Sequence, residues 1–317
     1  MQKIFIVGSA LVCFVMLGYS LSRDFGKASI YRFLTYRNNK SGRFIIAFLL
    51  LIAVQSAGQE LYVYTEPASN MPAHSIGTKL TGNFIPEASS AGNRFMQRYT
   101  PEVMLGINKN LMWHIGGSFA DMHTSNFRWE SVYTFIKYRF ISIDDVHKHF
   151  RMAAFADASY TRSPFEFDEV SLQGDKSGVA LGLIATQLIN KLAVSATVSH
   201  TQVLDGSRNN KVLYIPGRNY QAMNYALSAG YLLFPRNYTD YRQINMNLYV
   251  EVLGQQTIDR STHYWDIAPA VQFIFNSTFK VNIGYRFQAE GNMDRMTRQS
   301  LLVSYEWTFL NALKKRK

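Results

Sequence analysis

Over its last third the chain alternates apolar and polar positions with a period of two. Ile244, Met246, Leu248, Val250 and Val252 alternate with Asn245, Asn247, Tyr249 and Glu251. Trp265, Ile267, Pro269, Val271, Phe273 and Phe275 alternate with Asp266, Ala268, Ala270, Gln272 and Ile274. Phe279, Val281, Ile283, Tyr285 and Phe287 alternate with Lys280, Asn282, Gly284, Arg286 and Gln288. In the last such stretch Leu301, Val303, Tyr305, Trp307 and Phe309 share one side; Ser304, Glu306 and Thr308 share the other, which Leu302 interrupts. Side chains alternate faces along a strand, whereas a helical period would scramble each of these sets. Each segment therefore reads as a strand with one apolar and one polar face. Pro269 inside a strand removes a ladder donor and predicts a bulge there.

Earlier segments repeat the pattern less cleanly. Leu192, Val194, Ala196 and Val198 oppose Ser195, Thr197 and Ser199; Met223, Tyr225, Leu227, Ala229, Tyr231 and Leu233 oppose Asn224, Ser228 and Gly230. Phe150 to Tyr160, Trp113 to Phe119 and Val132 to Phe140 follow suit, with Tyr133 and Phe135 blurring the last. Short Asn-containing turns at 108–110, 190–191 and 276–278 alternate with longer polar links near 84–96, 162–176, 204–218, 256–262 and 290–296, and the link 123–126 falls on the side of the long ones. Brief turns at one end, extended loops at the other and strands near the ~9–11 residues that cross a bilayer describe an all-β, transmembrane, antiparallel up-and-down β-barrel of about twelve strands. The competing expectation is a soluble β-sandwich or propeller that buries the apolar faces against each other. A propeller-type repeat is not visible.

Composition agrees with the barrel. The 317 residues are 47% hydrophobic and 14% aromatic, while the mean hydropathy of −0.10 is too low for a bundle of membrane helices. Seven of the 33 basic residues and one of the 22 acidic ones lie in 1–58, so the net charge of +11 falls to +5 over the rest. That is too mild to imply nucleic acid, and no nucleic-acid-binding signature accompanies it. Cys13 is the single cysteine, so a mature chain that lacks it has neither a disulfide framework nor a cysteine metal site.

Two apolar segments precede the strands. Phe44 to Val54 follows Arg37, Lys40 and Arg43 and runs into Ser56-Ala57-Gly58, the basic, apolar, small-residue order of a secretory signal, with cleavage near Gly58. Ile4 to Tyr19 is short for a spanning helix. Residues 1–40 then stand either upstream of the true start, the favoured reading, or as a long leader or inner-membrane anchor. The expected organisation is a leader over 1–58, an extended periplasmic lead-in over 59–73 with room to tuck into the barrel mouth, a barrel over 74–310 and a basic tail over 311–317.

Charges on the polar faces belong inside the barrel, because Arg or Lys facing lipid at mid-depth costs about 2–4 kcal/mol. The candidate lumen residues are Lys79, Glu102, His114, Lys137, Arg139, Arg151, Asp157, Glu251, Asp266, Lys280, Arg286 and Glu306. They form either a structural ion-pair network or a polar conduit for small solutes. Asp144, Asp145, His147 and His149 have ligand types that suit a divalent metal, against the plainer reading of a solvated turn; no metal or other cofactor is expected. Arg94, Arg162, Lys176, Arg208, Lys211, Arg218 and Arg260 lie on expected external loops, solvated or facing lipopolysaccharide phosphates, and Glu166, Asp168, Glu169 and Asp175 make one loop acidic. A lipid hydrolase would need Ser, His and an acid converging at the rim. Ser199 and His200 point to opposite faces, Ser207 lies in the loop beyond them, Ser261 and His263 are a further pair, and no GxSxG motif occurs. The expectation is no enzyme.

The segments Leu61-Tyr62-Val63-Tyr64-Thr65-Glu66-Pro67-Ala68-Ser69-Asn70-Met71-Pro72 and Arg98-Tyr99-Thr100-Pro101-Glu102-Val103-Met104, with Phe309 near the end, give the chain its resemblance to outer-membrane β-barrel proteins of Bacteroidota-type bacteria. It is more loosely similar to barrels assigned to transport in aromatic-degradation pathways. The resemblance is architectural, spans most of 59–312 and carries over no functional residue. It implies a bacterial outer-membrane location, contact with outer-membrane lipid and lipopolysaccharide, and a terminal strand, Tyr305, Trp307 and Phe309, read by the barrel-insertion machinery. The tail Lys314-Lys315-Arg316-Lys317 departs from barrels that end at the aromatic residue. The functions expected are a channel or transporter for an unspecified small solute, then a closed structural, assembly or display barrel, then a lipid hydrolase.

Overall fold

The structure, a computed structural model, describes residues 62–85, 95–122, 126–145, 148–163, 167–204, 219–235 and 243–314. The expected leader, Arg94, His147, Glu166, Ser207, Arg208, Lys211, Arg218 and residues 315–317 lie outside the described residues.

Twelve strands follow in chain order: β1 (Ser75–Ile85), β2 (Met96–Gly106), β3 (Leu111–Ala120), β4 (Arg128–Asp144), β5 (Lys148–Thr161) and β6 (Gly178–Ile189), then β7 (Leu192–Val203), β8 (Gln221–Phe234), β9 (Asn245–Thr257), β10 (His263–Phe275), β11 (Phe279–Gly291) and β12 (Gln299–Phe309). Each strand pairs antiparallel with the next, and β1 pairs with β12, so the sheet closes on itself. Closure removes both edges and excludes the stacked sheets of a sandwich.

The two faces are inverted relative to a water-soluble protein. Leu80, Val103, Ile115, Ile136, Leu181, Leu183, Leu227, Val250 and Ile283 are exposed on the outside. Lys137, Glu251, Asp266, Asn247, Gln272 and Thr186 are buried inside. Water rewards the opposite arrangement, whereas a hydrocarbon surround rewards this one. Aromatic rings gather at both ends of the outer wall. At the turn end Phe275, Phe279, Trp307 and Phe309 touch in series. At the loop end Phe84, Phe95, Tyr99 and Phe127 do the same, beside Phe119 and Trp129. Such paired girdles mark two interfaces.

Several turn-end connections are tight because their residues accept positive φ. Asn276 (φ 50°) and Ser277 (φ 57°) both do in the β10–β11 hairpin, the backbone twist that two-residue turns require. The β8–β9 connection, Pro235 to Ile244, is longer than its neighbours at that end. After β12 the Leu313 N–H donates to the carbonyl of His74 at 2.9 Å, tying the chain end beside the start of β1.

Two local expectations change. Pro269 stays in register with Val250 on β9. Neither it nor Ala268 has a partner on β11, and the register shift falls instead between Trp265 and Asp266. Loss of the proline donor thus leaves a gap in one ladder without adding a residue. Tyr133 and Phe135 face inward with Lys137 and Arg139, so the blurred face of β4 is an aromatic stretch of the lumen wall.

Candidate functional site

Residues 62–73 lie in the lumen. Pro67 and Pro72 disqualify this segment as a ladder strand, so its backbone groups need other partners, and the wall supplies them. On β9, Glu251 accepts the N–H groups of Val63 and Tyr64 on Oε1, each at 2.9 Å. Its Oε2 accepts the N–H of Thr65 at 2.9 Å, the hydroxyl of Thr65 at 2.6 Å and that of Ser228 at 3.1 Å. On β6, Thr186 Oγ1 accepts the Ala68 N–H at 2.9 Å. On β4, Lys137 Nζ donates to Pro67 O at 2.7 Å, Ser69 O at 2.9 Å and Glu66 Oε2 at 3.1 Å. On β5, Arg151 donates to Ser69 Oγ at 2.8 Å. These bonds tie the segment to β4, β5, β6, β8 and β9.

Two glycines make room for it. A Cβ at Gly106 would stand 2.3 Å from Pro72 O, and one at Gly284 would stand 2.8 Å from Tyr64 Cε2. Tyr62 and Val63 close an apolar cluster with Leu188, Ala193, Tyr249, Ala270 and Leu302. This cluster explains why Leu302 breaks the polar face of β12: it packs against the inserted segment, not against lipid. For Glu66, which belongs to that segment, burial alone would raise the carboxyl; Lys137 and, less strongly, His114 and Lys79 outweigh burial and hold it at about 2. A depressed carboxyl stabilises above its ordinary value of 4.5 and loses that contribution only as pH falls toward 2, so this anchor is intact at neutral pH.

Four charges alternate in sign along one register row that starts beside the turn-end girdle and runs across β11, β12, β1 and β2. Lys280 on β11 is opposite Glu306 on β12, Glu306 is opposite Lys79 on β1, and Lys79 is opposite Glu102 on β2. Lys280 Nζ and Glu306 Oε1 approach to 2.5 Å. Opposite charges on directly paired positions stabilise the wall and leave little net field. Glu102 also accepts the hydroxyl of Tyr133 and lies 3.2 Å from His114 Nδ1. Tyr133 reaches Glu102 across Gly116, where an added Cβ would be 2.5 Å from the ring. His114, Phe135 and Phe155 follow as a run of rings, with centroids 5.1 and 5.3 Å apart. Asp157 is opposite Phe135, and its Oδ1 is buried without a hydrogen-bond partner among the described residues. Across β9 to β12 Asn247, Gln272, Asn282 and Ser304 join in a chain of side-chain hydrogen bonds, beside Lys280 and Glu306.

The loop-end mouth is crossed by the β5–β6 connection. Arg98 on β2 donates to Glu130 at 2.8 Å and to Asp175 of the connection at 2.6 Å. Farther along, Val170 exchanges two hydrogen bonds with Gln255 on β9, and the N–H groups of Asp168 and Glu169 donate to Asp294 O in the β11–β12 link. That link also sends Arg295 onto Asp266 at 2.8 and 2.9 Å, with its guanidinium 3.6 Å above the Tyr264 ring. Arg286 pairs with Asp266 as well. In the closed order of twelve strands the β11–β12 link lies opposite the β5–β6 link, so the connection reaches from side to side. Lys176, expected as a solvated loop cation, is buried and donates to Phe167 O at 2.6 Å. The loop folds inward, and its cation must find an acceptor there.

The twelve candidate lumen residues therefore fall into groups. Lys137, Arg151 and Glu251 hold the inserted segment. Lys79, Glu102, His114, Lys280 and Glu306 form the charge row and its cluster, with Asp157 beside it. Asp266 and Arg286 belong to the mouth. Arg139 stands apart, donating to Lys109 O in the β2–β3 turn at 2.7 Å. Sequence reasoning did not place Glu66, Arg98, Glu130 or Arg295 in the lumen, and read Asp175 only as an external-loop acid. Arg98 was readable, since it shares parity with Glu102 on β2. Glu130 was not, because a register shift at Ser118/Phe119 interrupts the β3–β4 alternation there.

Among the described residues the other candidate chemistry does not assemble; His147 and Ser207 lie outside them. Asp144 is taken up by His149, Arg151 and Ser142, and no cluster suited to a metal ion occurs among the described residues. Ser199 is buried in the lumen wall while His200 points outward. Ser261 Oγ bonds Asp259, and His263 bonds Glu290 instead of Ser261.

No protein-family model matches the sequence, and no curated protein matches it. Among solved structures, the KdgM porin is 10% identical with a TM-score of 0.41, over 74% of this chain and 99% of that one. An outer membrane channel from Pseudomonas putida F1 is 10% identical with a TM-score of 0.47, over 78% and 100%. The β domain of the Bordetella autotransporter BrkA is 10% identical with a TM-score of 0.44, over 74% and 99%. Likeness at this level says nothing about solute or mechanism.

Proposed function

We propose that the protein is an outer-membrane β-barrel that passes small polar solutes when its own N-terminal segment leaves the lumen. The observation that carries this reading is the way residues 62–73 are held: by side-chain anchors and glycine sockets, not by ladder pairing with the barrel. A segment outside the ladder can leave without unzipping a strand. The apolar outer wall and its two girdles support a membrane location, and a charged interior supports an aqueous path. The leader would deliver the chain across the inner membrane, and the outward-facing Tyr305, Trp307 and Phe309 would address the insertion machinery. Lipid surrounds the wall, with Arg162 and Arg260 at the loop end available to lipopolysaccharide phosphates. The likeness to Bacteroidota-type barrels rests on the sequence segments quoted above. A permanently closed barrel is the second reading, favoured by the density of hydrogen bonds to Glu251 and Lys137.

Planar-bilayer recording separates the two. The intact chain is expected to open rarely. Gly284→Val places bulk where Tyr64 sits, and a loss of about 1.4 kcal/mol of seating raises the open fraction about tenfold. A Gly284→Val barrel that folds, shown by heat-modifiable gel mobility, yet stays silent would establish the closed barrel instead.

A further inference from the structure

We propose that Glu251 and Tyr249 form the solute site of the opened lumen, that the solute is a small organic cation rich in N–H donors, and that residues 62–65 occupy this site in its place while the lumen is closed. The inference rests on the gated-channel reading and assigns it a substrate class.

Glu251 is fully buried, and its partners are the N–H and O–H donors of Val63, Tyr64, Thr65 and Ser228. Among the described residues no Lys, Arg or His nitrogen lies within 4.0 Å of it. Three other inward carboxylates differ: Asp266 has two arginines, Glu306 has Lys280 and Glu130 has Arg98. The wall thus leaves Glu251 a single side-chain donor of its own, Ser228, and the inserted segment provides the rest. Once that segment departs, an anionic carboxylate remains with donors missing, which charge-assisted hydrogen bonds from a cation restore.

The neighbouring surface fits the same ligand. Tyr249 precedes Glu251 by two positions and shares its face. Its ring lies across Gly230, where an added Cβ would be 2.4 Å from Cε1, and its hydroxyl donates to Gln272 at 3.1 Å. The Tyr62 ring meets it at 5.7 Å and 67°. Removal of Tyr62 uncovers part of this ring beside the carboxylate, and an aromatic face with an adjacent anion is a receptor for organic cations. Three consecutive N–H donors converge on Glu251 at 2.9 Å each. A guanidinium or primary ammonium offers a comparable donor set, whereas a quaternary ammonium offers none.

The test uses Ala68→Cys in a Cys13→Ser background, as full-length protein in detergent. Ala68 is fully buried in the closed state, so N-ethylmaleimide labelling reports departure of the segment. Saturating agmatine, which carries a guanidinium and an ammonium, is expected to accelerate labelling about tenfold, as a ligand that favours the open state does. Tetramethylammonium and succinate leave the rate unchanged. Glu251→Gln removes the agmatine response and calorimetric agmatine binding, whatever its basal labelling rate; Tyr249→Leu weakens binding several-fold while keeping the carboxylate. No acceleration by agmatine, equal acceleration by tetramethylammonium or succinate, or binding that survives Glu251→Gln overturns the proposal. The Gly284→Val conductance is read separately, so a failed solute site with a conducting barrel is distinguishable from a barrel that never conducts.

Discussion

Lys137→Met is expected to raise the open probability of the barrel about a hundredfold. The ammonium is fully buried and donates to two backbone carbonyls and to Glu66, so its removal leaves Pro67 O, Ser69 O and a carboxylate without their donor. Stranding buried acceptors costs about 1–3 kcal/mol, and more where a charge is involved. The cost falls mainly on the closed state, because in an open lumen water solvates the released segment. About 3 kcal/mol then corresponds to the hundredfold change, tenfold per 1.4 kcal/mol. Methionine keeps the length and apolar stem of lysine, so the wall itself is little disturbed. Single-channel recording measures the effect. An open probability equal to that of the unsubstituted protein would mean that the segment is held elsewhere, or that its presence does not block current.

The second large effect concerns the outer wall. Leu183 sits mid-way along β6 and is exposed there, opposite Val198 on β7 and Ala154 on β5. Leu183→Arg is expected to cost about 2–4 kcal/mol in a bilayer and to deplete the heat-resistant folded form. Leu310→Arg, just beyond the last strand, adds the same charge near an interface at a cost of about 0–1 kcal/mol and leaves folding intact. Folding in lipid vesicles, followed by gel mobility, separates them. Equal tolerance of both substitutions would argue that this wall does not face hydrocarbon.

The barrel was legible because a strand in lipid must keep its two faces chemically distinct. Period-two alternation and the alternation of short and long links point to an up-and-down barrel, and the pairing of β1 with β12 decides against the sandwich that the same alternation allows. Lumen charges were legible by the same parity, since β11, β12, β1 and β2 carry Lys280, Glu306, Lys79 and Glu102 on their polar faces. The inserted segment was not legible as a plug. Its sequence, rich in proline and without period, states only that it is no strand. Its contacts with Glu251 and Lys137 span more than a hundred and about seventy residues of chain, respectively. Its trace in the sequence was indirect: Leu302 and Tyr249 interrupt polar faces, and both belong to the cluster around Tyr62. The mouth was hidden for a related reason. Asp175 and Glu169 lie on what reads as an ordinary polar loop, and only its inward fold brings them to Arg98 and Arg295.

The central claim, that residues 62–73 close a lumen that otherwise conducts, is tested most directly by a reversible cross-link. Thr65 Oγ1 and Ser228 Oγ are 2.8 Å apart, so sulfur atoms in their places come within reach of a bond of about 2.05 Å. Full-length Thr65→Cys/Ser228→Cys protein in a Cys13→Ser background is recorded in a planar bilayer before and after reduction. The account predicts a silent barrel while the disulfide holds and discrete openings once it is reduced, with re-oxidation silencing it again. Full conductance through the cross-linked barrel, or silence in both states, would contradict it.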